Sequence, residues 1–105
     1  MNLHLHVDDL ENPEEIRDAC SRRATELQDE FPETTRLEAT LQRVGVEYEM
    51  HVRAHGKDLE VASRGRAADA LGSVNEAFEK TRRQLRKHHD KLIFGPRRGS
   101  PRSNR

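Results

Sequence analysis

The stretch AADALGSVNEAFEKTRRQLRKHHDKL, residues 67–92, decides the fold of this 105-residue chain. Its apolar or packable side chains recur at alternating steps of four and three residues, which is helical spacing and places them on one face. No proline interrupts the stretch before Pro96, and its only glycine is Gly72. The spacing predicts a long amphipathic helix. Its buried stripe comprises Ala67, Leu71, Val74, Phe78, Thr81, Leu85, His88 and Leu92.

Charge is distributed unevenly along this helix and the residues that follow it. Residues 80–105 contain ten Lys or Arg and a single acid, Asp90, whereas the rest of the chain holds 9 Lys or Arg and 18 Asp or Glu. The formal net charge of +0 therefore conceals an acidic body and a basic end. Cations are favoured at a helix C-terminus, but ten of them exceed that need. The asymmetry predicts a polyanionic partner.

The residues before this helix show one further helical pattern and several strand patterns. Residues 2–7 alternate apolar and polar side chains, and residues 13–31 have helical spacing after an Asn-Pro-Glu-Glu start. Period-two alternation returns at 35–44, 46–54 and 59–63, with turns expected at Gly45 and Gly56 and a break at Gly65. The first helix is predicted to bury Ile16, Cys20, Ala24, Leu27 and Phe31.

These elements predict an α+β fold in the order β-α-β-β-β-α. Strands that alternate cleanly need only one buried face, so two helices should cover one face of a four-stranded sheet and leave the other in water. This arrangement is similar to that of double-stranded RNA-binding domains. We expect residues 1–94 to form a single domain and residues 95–105, which are basic and rich in Gly, Pro and Ser, to be a disordered tail.

Composition and motifs argue against several functional classes. No apolar run is long enough for a membrane span or a signal peptide, and the single Cys20 fits a buried thiol in a reducing cytoplasm. Phosphate-binding loops, nucleophile elbows and zinc-protease motifs are missing, so we expect no enzymatic activity, cofactor or small-molecule substrate. The strand histidines His4, His6, His51 and His55 are predicted to be exposed on the sheet without binding a metal.

Basic side chains away from the buried stripe form the candidate binding surface. Rows of Arg and Lys suit contacts to phosphates, which give affinity without base specificity. Two helices with basic residues on one side of a sheet resemble the way double-stranded RNA is read by shape. The candidate RNA-binding residues are Lys80, Arg82, Arg83, Arg86, Lys87 and Lys91, with Arg22 and Arg23 of the first helix if the two helices pack side by side.

Residues 79–92, EKTRRQLRKHHDKL, resemble the last helix of the family of ribosome hibernation-promoting factors, ribosome-associated inhibitors and sigma-54 modulation proteins. That helix likewise carries a basic run centred on Gln-Leu and ending in Lys-His, followed by Asp-Lys-Leu. The segment GRAADAL, residues 65–71, and Asn75–Phe78 fit the start of the same helix. The resemblance extends over residues 1–92 and indicates a short form without the dimerising C-terminal domain of longer members.

The resemblance implies a cytoplasmic protein that is monomeric when free and binds the small ribosomal subunit in the channel used by tRNA and mRNA. It implies that translation is blocked while idle ribosomes are preserved. Basic residues of both helices would contact ribosomal RNA. By matching position these are Lys80, Arg83, Arg86, Lys87 and Lys91, together with Arg22 and Arg23.

Two alternative functions are compatible with the same residues. One is general binding of double-stranded RNA. The other is a protein-interaction module whose open sheet face, with Glu38, Glu47, Glu49 and Glu60, docks a basic partner. Co-migration with small ribosomal subunits would favour the ribosomal function over both.

Overall fold

A computed structural model describes residues 2–7 and 13–93 and confirms the predicted α+β fold and element order. The elements are β1 (Asn2–Val7), α1 (Pro13–Glu30), β2 (Thr34–Val44), β3 (Glu47–Gly56), β4 (Leu59–Ala67) and α2 (Ala70–Ile93). The predicted tail at 95–105 lies outside the described residues, so its disorder stays a prediction.

The four strands form one mixed sheet in the order β1-β2-β3-β4. β1 pairs in parallel with β2, which is possible because α1 provides the crossover between them. The remaining pairs are antiparallel, with Ala39 opposite Val52 and Val52 opposite Ser63. Paired residues point to the same side of the sheet, so the odd-numbered residues of β1, β2 and β4 share the buried face with the even-numbered residues of β3.

Both helices pack on the same face of this sheet and bury most of the predicted apolar stripes. On α1 the five predicted residues, including Phe31 just after the helix, are all buried. On α2, Val74, Phe78, Thr81 and Leu85 are at most 1% exposed. The buried Thr81 hydroxyl donates a hydrogen bond to the carbonyl of Ala77 at 2.9 Å, which satisfies its polar group within the helix. These residues confirm the predicted orientation of both helices. Of the rest of the α2 stripe, Leu71 and His88 are partly buried, Ala67 belongs to β4 and not to the helix, and the side chain of Leu92 lies outside the described part of the chain.

The junction between β4 and α2 differs from the prediction. β4 continues through Gly65 to Ala67, and α2 begins at Ala70. Gly65 does not break the strand; it lets the helix backbone approach the sheet, because a Cβ there would lie 2.4 Å from both the nitrogen of Ala77 and the carbonyl oxygen of Ser73. The predicted break at Gly65 is therefore wrong: this glycine allows close packing of α2 and does not end β4.

The turns on either side of β3 also differ from the prediction. Gly45 does adopt a positive φ of 66°, but Val46 is 84% exposed in that turn and is not the first inward residue of the strand. In the second turn Asp58, with φ 57°, adopts the left-handed conformation, and Gly56 does not. Gly56 is required for a different reason, since a Cβ on it would lie 2.1 Å from the carbonyl oxygen of Glu33.

The two helices lie side by side and run in the same direction. Residues further along α1 contact residues further along α2. Arg23 donates a hydrogen bond to the Asn75 carbonyl, and seven residues later on each helix Glu30 accepts one from Arg82. On its other flank α2 is tied to β4, because the Gln84 amide donates to the Ala62 carbonyl at 3.0 Å. Neither helix is long and apolar enough to cross a membrane within the ranges that the structure describes.

Candidate nucleic-acid interface

The buried stripe of α2 fixes the directions in which its basic side chains project. At 3.6 residues per turn, Arg83 and Lys87 lie opposite the stripe and are exposed. Arg82 and Arg86 turn towards α1 and contact it. The six candidate cations are thus distributed over three faces of α2, with Lys80 and Lys91 on the face nearer β4.

Arg82 and Arg86 both bind the carboxylate of Glu30, the last residue of α1. Arg82 binds in a bidentate manner, with Nε 2.9 Å from Oε1 and Nη2 3.1 Å from Oε2. Arg86 donates to the same Oε2 and places its guanidinium 5.8 Å from the centre of the Phe31 ring. The hydrogen bond from Arg82, together with the charges of both arginines, holds the pKa of Glu30 below its ordinary value.

The other cations of α2 are more available to a ligand. Arg83, Lys87 and Lys91 are exposed and make no ion pair with any residue that the structure describes. Lys80 is exposed and lies 3.3 Å from Glu76 in an ordinary i,i+4 pair, which is weak at a surface. We refer to Arg83, Lys87 and Lys91 as the free cations. With Arg86, Gln84 and Asp90, Arg83 and Lys87 also line a shallow surface depression.

The arginines of α1 lie at a different level of the helix pair. Arg23 donates to the carbonyl of Asn75 at 3.3 Å and is 3.9 Å from Glu26. Asn75 precedes Arg83 by eight residues, or about 12 Å along the helix axis. Arg22 is exposed beside Arg23 on α1. The two α1 arginines are therefore not adjacent to the free cations.

A groove between the helices separates these two groups of cations. It is lined by three carboxylates and two guanidinium groups together with apolar side chains. The residues are Arg23, Glu26, Leu27, Glu30, Phe78, Glu79 and Arg82. The predicted continuous basic patch across both helices is thus interrupted by acidic side chains, because the two α1 acids face α2 where the helices meet.

The open face of the sheet is charge-balanced, whereas the sequence predicted an acidic surface. Its four glutamates share the face with Arg36, Arg53, Arg64 and Arg66. Arg66 Nε lies 2.8 Å from Glu47, and Arg36 Nη2 lies 2.6 Å from Glu38. Two histidines also pair there with carboxylates, His51 with Glu49 at 3.0 Å and His55 with Glu38 at 3.3 Å. Sequence alternation located the glutamates but did not show that arginines on neighbouring strands neutralise them.

The residue types that bind metals or act as nucleophiles are not grouped into a site. Across residues 2–7 and 13–93, no three His, Cys, Asp or Glu side chains are arranged to hold a metal ion. Cys20 is fully buried on α1, and burial raises the pKa of its thiol to about 11. His89, in the basic run of α2, has Nδ1 2.7 Å from Glu33 and its ring edge-on to Phe31.

The sequence did not reveal the position of Glu30 between the two helices. Its contacts with Arg82 and Arg86 span 52 and 56 residues, so no local spacing rule predicts them. The i,i+4 spacing of the two arginines does place them on one side of α2. Their acidic partner becomes apparent only when the packing of the helices is known.

A two-helix α+β domain with exposed cations on its last helix is the class of protein that this geometry defines. Residues 3–93 match the family described as sigma 54 modulation protein / S30EA ribosomal protein. Because the match covers most of the chain, the protein belongs to this family, and the family predicted from the sequence is confirmed.

Solved structures share the fold at low sequence identity. A ribosomal subunit interface protein from Coxiella burnetii superposes with a TM-score of 0.78 at 12% identity, covering 87% of this chain and 100% of its own. The N-terminal domain of Protein Y from Thermus thermophilus gives a TM-score of 0.73 at 18% identity, covering 84% of this chain and 99% of its own. Comparison with curated protein sequences finds no match.

Proposed function

We propose that this protein binds the small ribosomal subunit through ribosomal RNA phosphates and keeps the idle ribosome from translating. Family membership supports a ribosomal partner. One structural relative is described as a ribosomal subunit interface protein, which supports the same class of partner. The binding residues of this proposal are the free cations of α2, with Lys80 at their edge.

The observation that carries the proposal is the exposure of Arg83 and Lys87 opposite the buried stripe of α2. Neither side chain has an ion-pair partner among the described residues, so neither must break an internal contact before it meets a phosphate. Phosphate contacts by Lys and Arg release condensed counterions, which gives strong binding without base readout. A sequence-independent contact of this kind suits a surface built from RNA backbone.

The open face of the sheet supports the protein-docking alternative less well. Its glutamates are matched by arginines, and most of the glutamates have partners within 4 Å, so a basic protein would have to displace them. General binding of double-stranded RNA requires basic contacts spread over successive grooves. The acidic groove between α1 and α2 interrupts such a surface.

Co-sedimentation with purified small subunits, together with inhibition of in vitro translation, tests the proposal. The double variant Arg83→Glu with Lys87→Glu should lose both activities, because each change replaces attraction to phosphate by repulsion. The matched control is Lys57→Glu with Arg64→Glu, which reverses one lysine and one arginine that are exposed outside α2. The control should retain both activities.

Two other results would redirect the assignment. If the α2 variant still binds while the control variant does not, the open sheet face and its rim are the interface. If the wild-type protein binds a synthetic RNA duplex as tightly as the small subunit, general duplex binding is the better account.

A further inference from the structure

Arg82, Arg86 and Glu30 form a cluster in which two guanidinium groups share one carboxylate. Arg82 uses only two of its five N–H donors on Glu30. Glu30 alone does not neutralise both guanidinium groups, and Glu79 also acts on the charge of Arg82. Its side chains are accessible to a ligand, with exposed fractions of 43%, 52% and 30% for Arg82, Arg86 and Glu30.

A phosphate group could take the place of the Glu30 carboxylate. A carboxylate and a phosphate group each present two oxygens that share negative charge. A guanidinium group can bind both oxygens through two parallel N–H donors. Arg86 would remain oriented after such an exchange, because its guanidinium also lies over the Phe31 ring. The carboxylate thus occupies a position suited to an RNA phosphate.

Several features make Glu30 replaceable by a ligand. Because Arg82 and Arg86 are about half exposed, water and salt screen their attraction to Glu30, and an incoming phosphate can reach both guanidinium groups. Glu30 is the last residue of α1, where the negative end of the helix dipole disfavours an acid, and the last turn contains no basic residue. The two α2 arginines are therefore what holds this carboxylate in place.

We propose that Glu30 is an internal competitor for RNA phosphate at Arg82 and Arg86, and that it weakens binding to the small subunit. This inference rests on the proposed function. Free protein would keep both arginines bound to Glu30, and bound protein would exchange the carboxylate for phosphate. The three free cations would then make first contact, and the arginine pair would add to it only at sites where a phosphate reaches the end of α1.

The test compares the dissociation constants of wild type, Glu30→Gln and Asp29→Asn for purified small subunits. Asp29→Asn removes one negative charge from the neighbouring exposed position, which has no ion pair among the described residues, and so controls for net charge. One added phosphate contact makes the slope of log K against log[salt] steeper by about 0.8. At 0.1 M salt this corresponds to about sixfold tighter binding. We expect that gain for Glu30→Gln and less than about twofold for Asp29→Asn.

A double-mutant comparison separates competition from any change in folding. In a protein carrying Arg82→Gln and Arg86→Gln, the additional change Glu30→Gln should no longer tighten binding, because no guanidinium remains to be released. Circular-dichroism melts of each variant check that the fold is retained.

The outcomes distinguish failure of the competitor role from failure of the proposed function. Equal or weaker binding by Glu30→Gln, while the wild type binds, overturns the competitor role and leaves the proposed function intact. A similar gain from Asp29→Asn also overturns the competitor role, because net charge alone would then explain it. A wild-type protein that does not bind small subunits overturns the proposed function itself.

Discussion

At the scale of single residues, four carboxyl groups in the described part of the chain have pKa values held below the ordinary value. For Glu30 the largest cause is the hydrogen bond from Arg82. Histidine or backbone N–H donors play the same part for the other three carboxyl groups. These belong to Glu38, Glu49 and Glu76. Stability should therefore depend on their ionisation.

This dependence predicts a loss of stability at acid pH. A carboxyl whose pKa is lower in the folded state contributes stability above its unfolded pKa, here 4.5, and loses it as pH falls through the folded pKa. We expect the contribution of Glu30 and Glu76, whose partners are arginine, lysine or backbone N–H groups, to be constant between about pH 7 and pH 5.5 and to decline below about pH 4.5. Thermal melts followed by circular dichroism across this range provide the measurement.

The variant Glu30→Gln assigns part of the acid dependence to one group. Its melting temperature should lie below that of the wild type at neutral pH, and the difference should shrink as Glu30 of the wild type becomes protonated. A difference that remained constant down to low pH would show that the carboxylate charge is not what Arg82 and Arg86 stabilise.

Phe78 provides the test of core packing at a single position. This residue is 1% exposed and projects from α2 into the core. Phe78→Ala should therefore lower the free energy of unfolding by ~3–5 kcal/mol. Val46→Ala at the exposed β2–β3 turn should cost less than about 0.5 kcal/mol. Urea denaturation of the two variants measures both values. An unchanged midpoint for Phe78→Ala would mean that the wrong face of α2 has been assigned to the core.

At the scale of elements, the contact between α2 and β4 depends on the absence of a side chain at Gly65. The backbone of α2 at Ser73 and Ala77 approaches this glycine too closely for any Cβ. The same contact sets how α2 is rotated on the sheet and therefore which basic residues face outward. A change at this internal glycine should thus affect both stability and the orientation of the free cations.

The variant Gly65→Ala should destabilise the fold by ~1–3 kcal/mol, the usual cost of overpacking, because both neighbouring atoms are backbone and cannot rotate away. Gly45→Asn is the matched control: nothing lies within 4 Å of a Cβ there, and asparagine tolerates the positive φ of that turn. Denaturant unfolding compares the two. If Gly65→Ala were as stable as Gly45→Asn, the helix would not pack on β4 at the distance described.

The kinds of element could be predicted because each strand and helix buries only one face, which leaves a clear period in the sequence. The role of Gly65 could not be predicted, because the sequence does not distinguish a glycine that ends a strand from one that makes room for a neighbouring backbone. The parallel pairing of β1 with β2 follows from the crossover helix α1 between them, and the alternation within each strand does not indicate strand direction. The contacts of Glu30 are likewise non-local, since they join residues more than 50 positions apart.

At the scale of the whole molecule, the near-zero net charge conceals a separation between an acidic body and a basic helix. The structure refines this separation, because Arg82 and Arg86 face α1 and are partly neutralised there. The free cations remain on the outer side and the flank of α2. Long-range attraction to RNA should therefore be focused on the second half of this helix.

Binding to small subunits should depend strongly on salt concentration. Three phosphate contacts by the free cations predict a slope of log K against log[salt] of about −2 to −3. Additional contacts by Arg82 and Arg86 would bring the slope towards about −4. Titrations at several potassium chloride concentrations measure it, and a slope indistinguishable from zero would contradict an electrostatic mechanism.

The most direct test of the central claim is a cryo-electron microscopy structure of the protein bound to the small subunit. We expect Arg83 and Lys87 to lie within about 3 Å of ribosomal RNA phosphate oxygens. The open sheet face, with its paired glutamates and arginines, should not be the principal contact. A complex in which the sheet contacts the RNA and the outer side of α2 faces solvent would contradict the account.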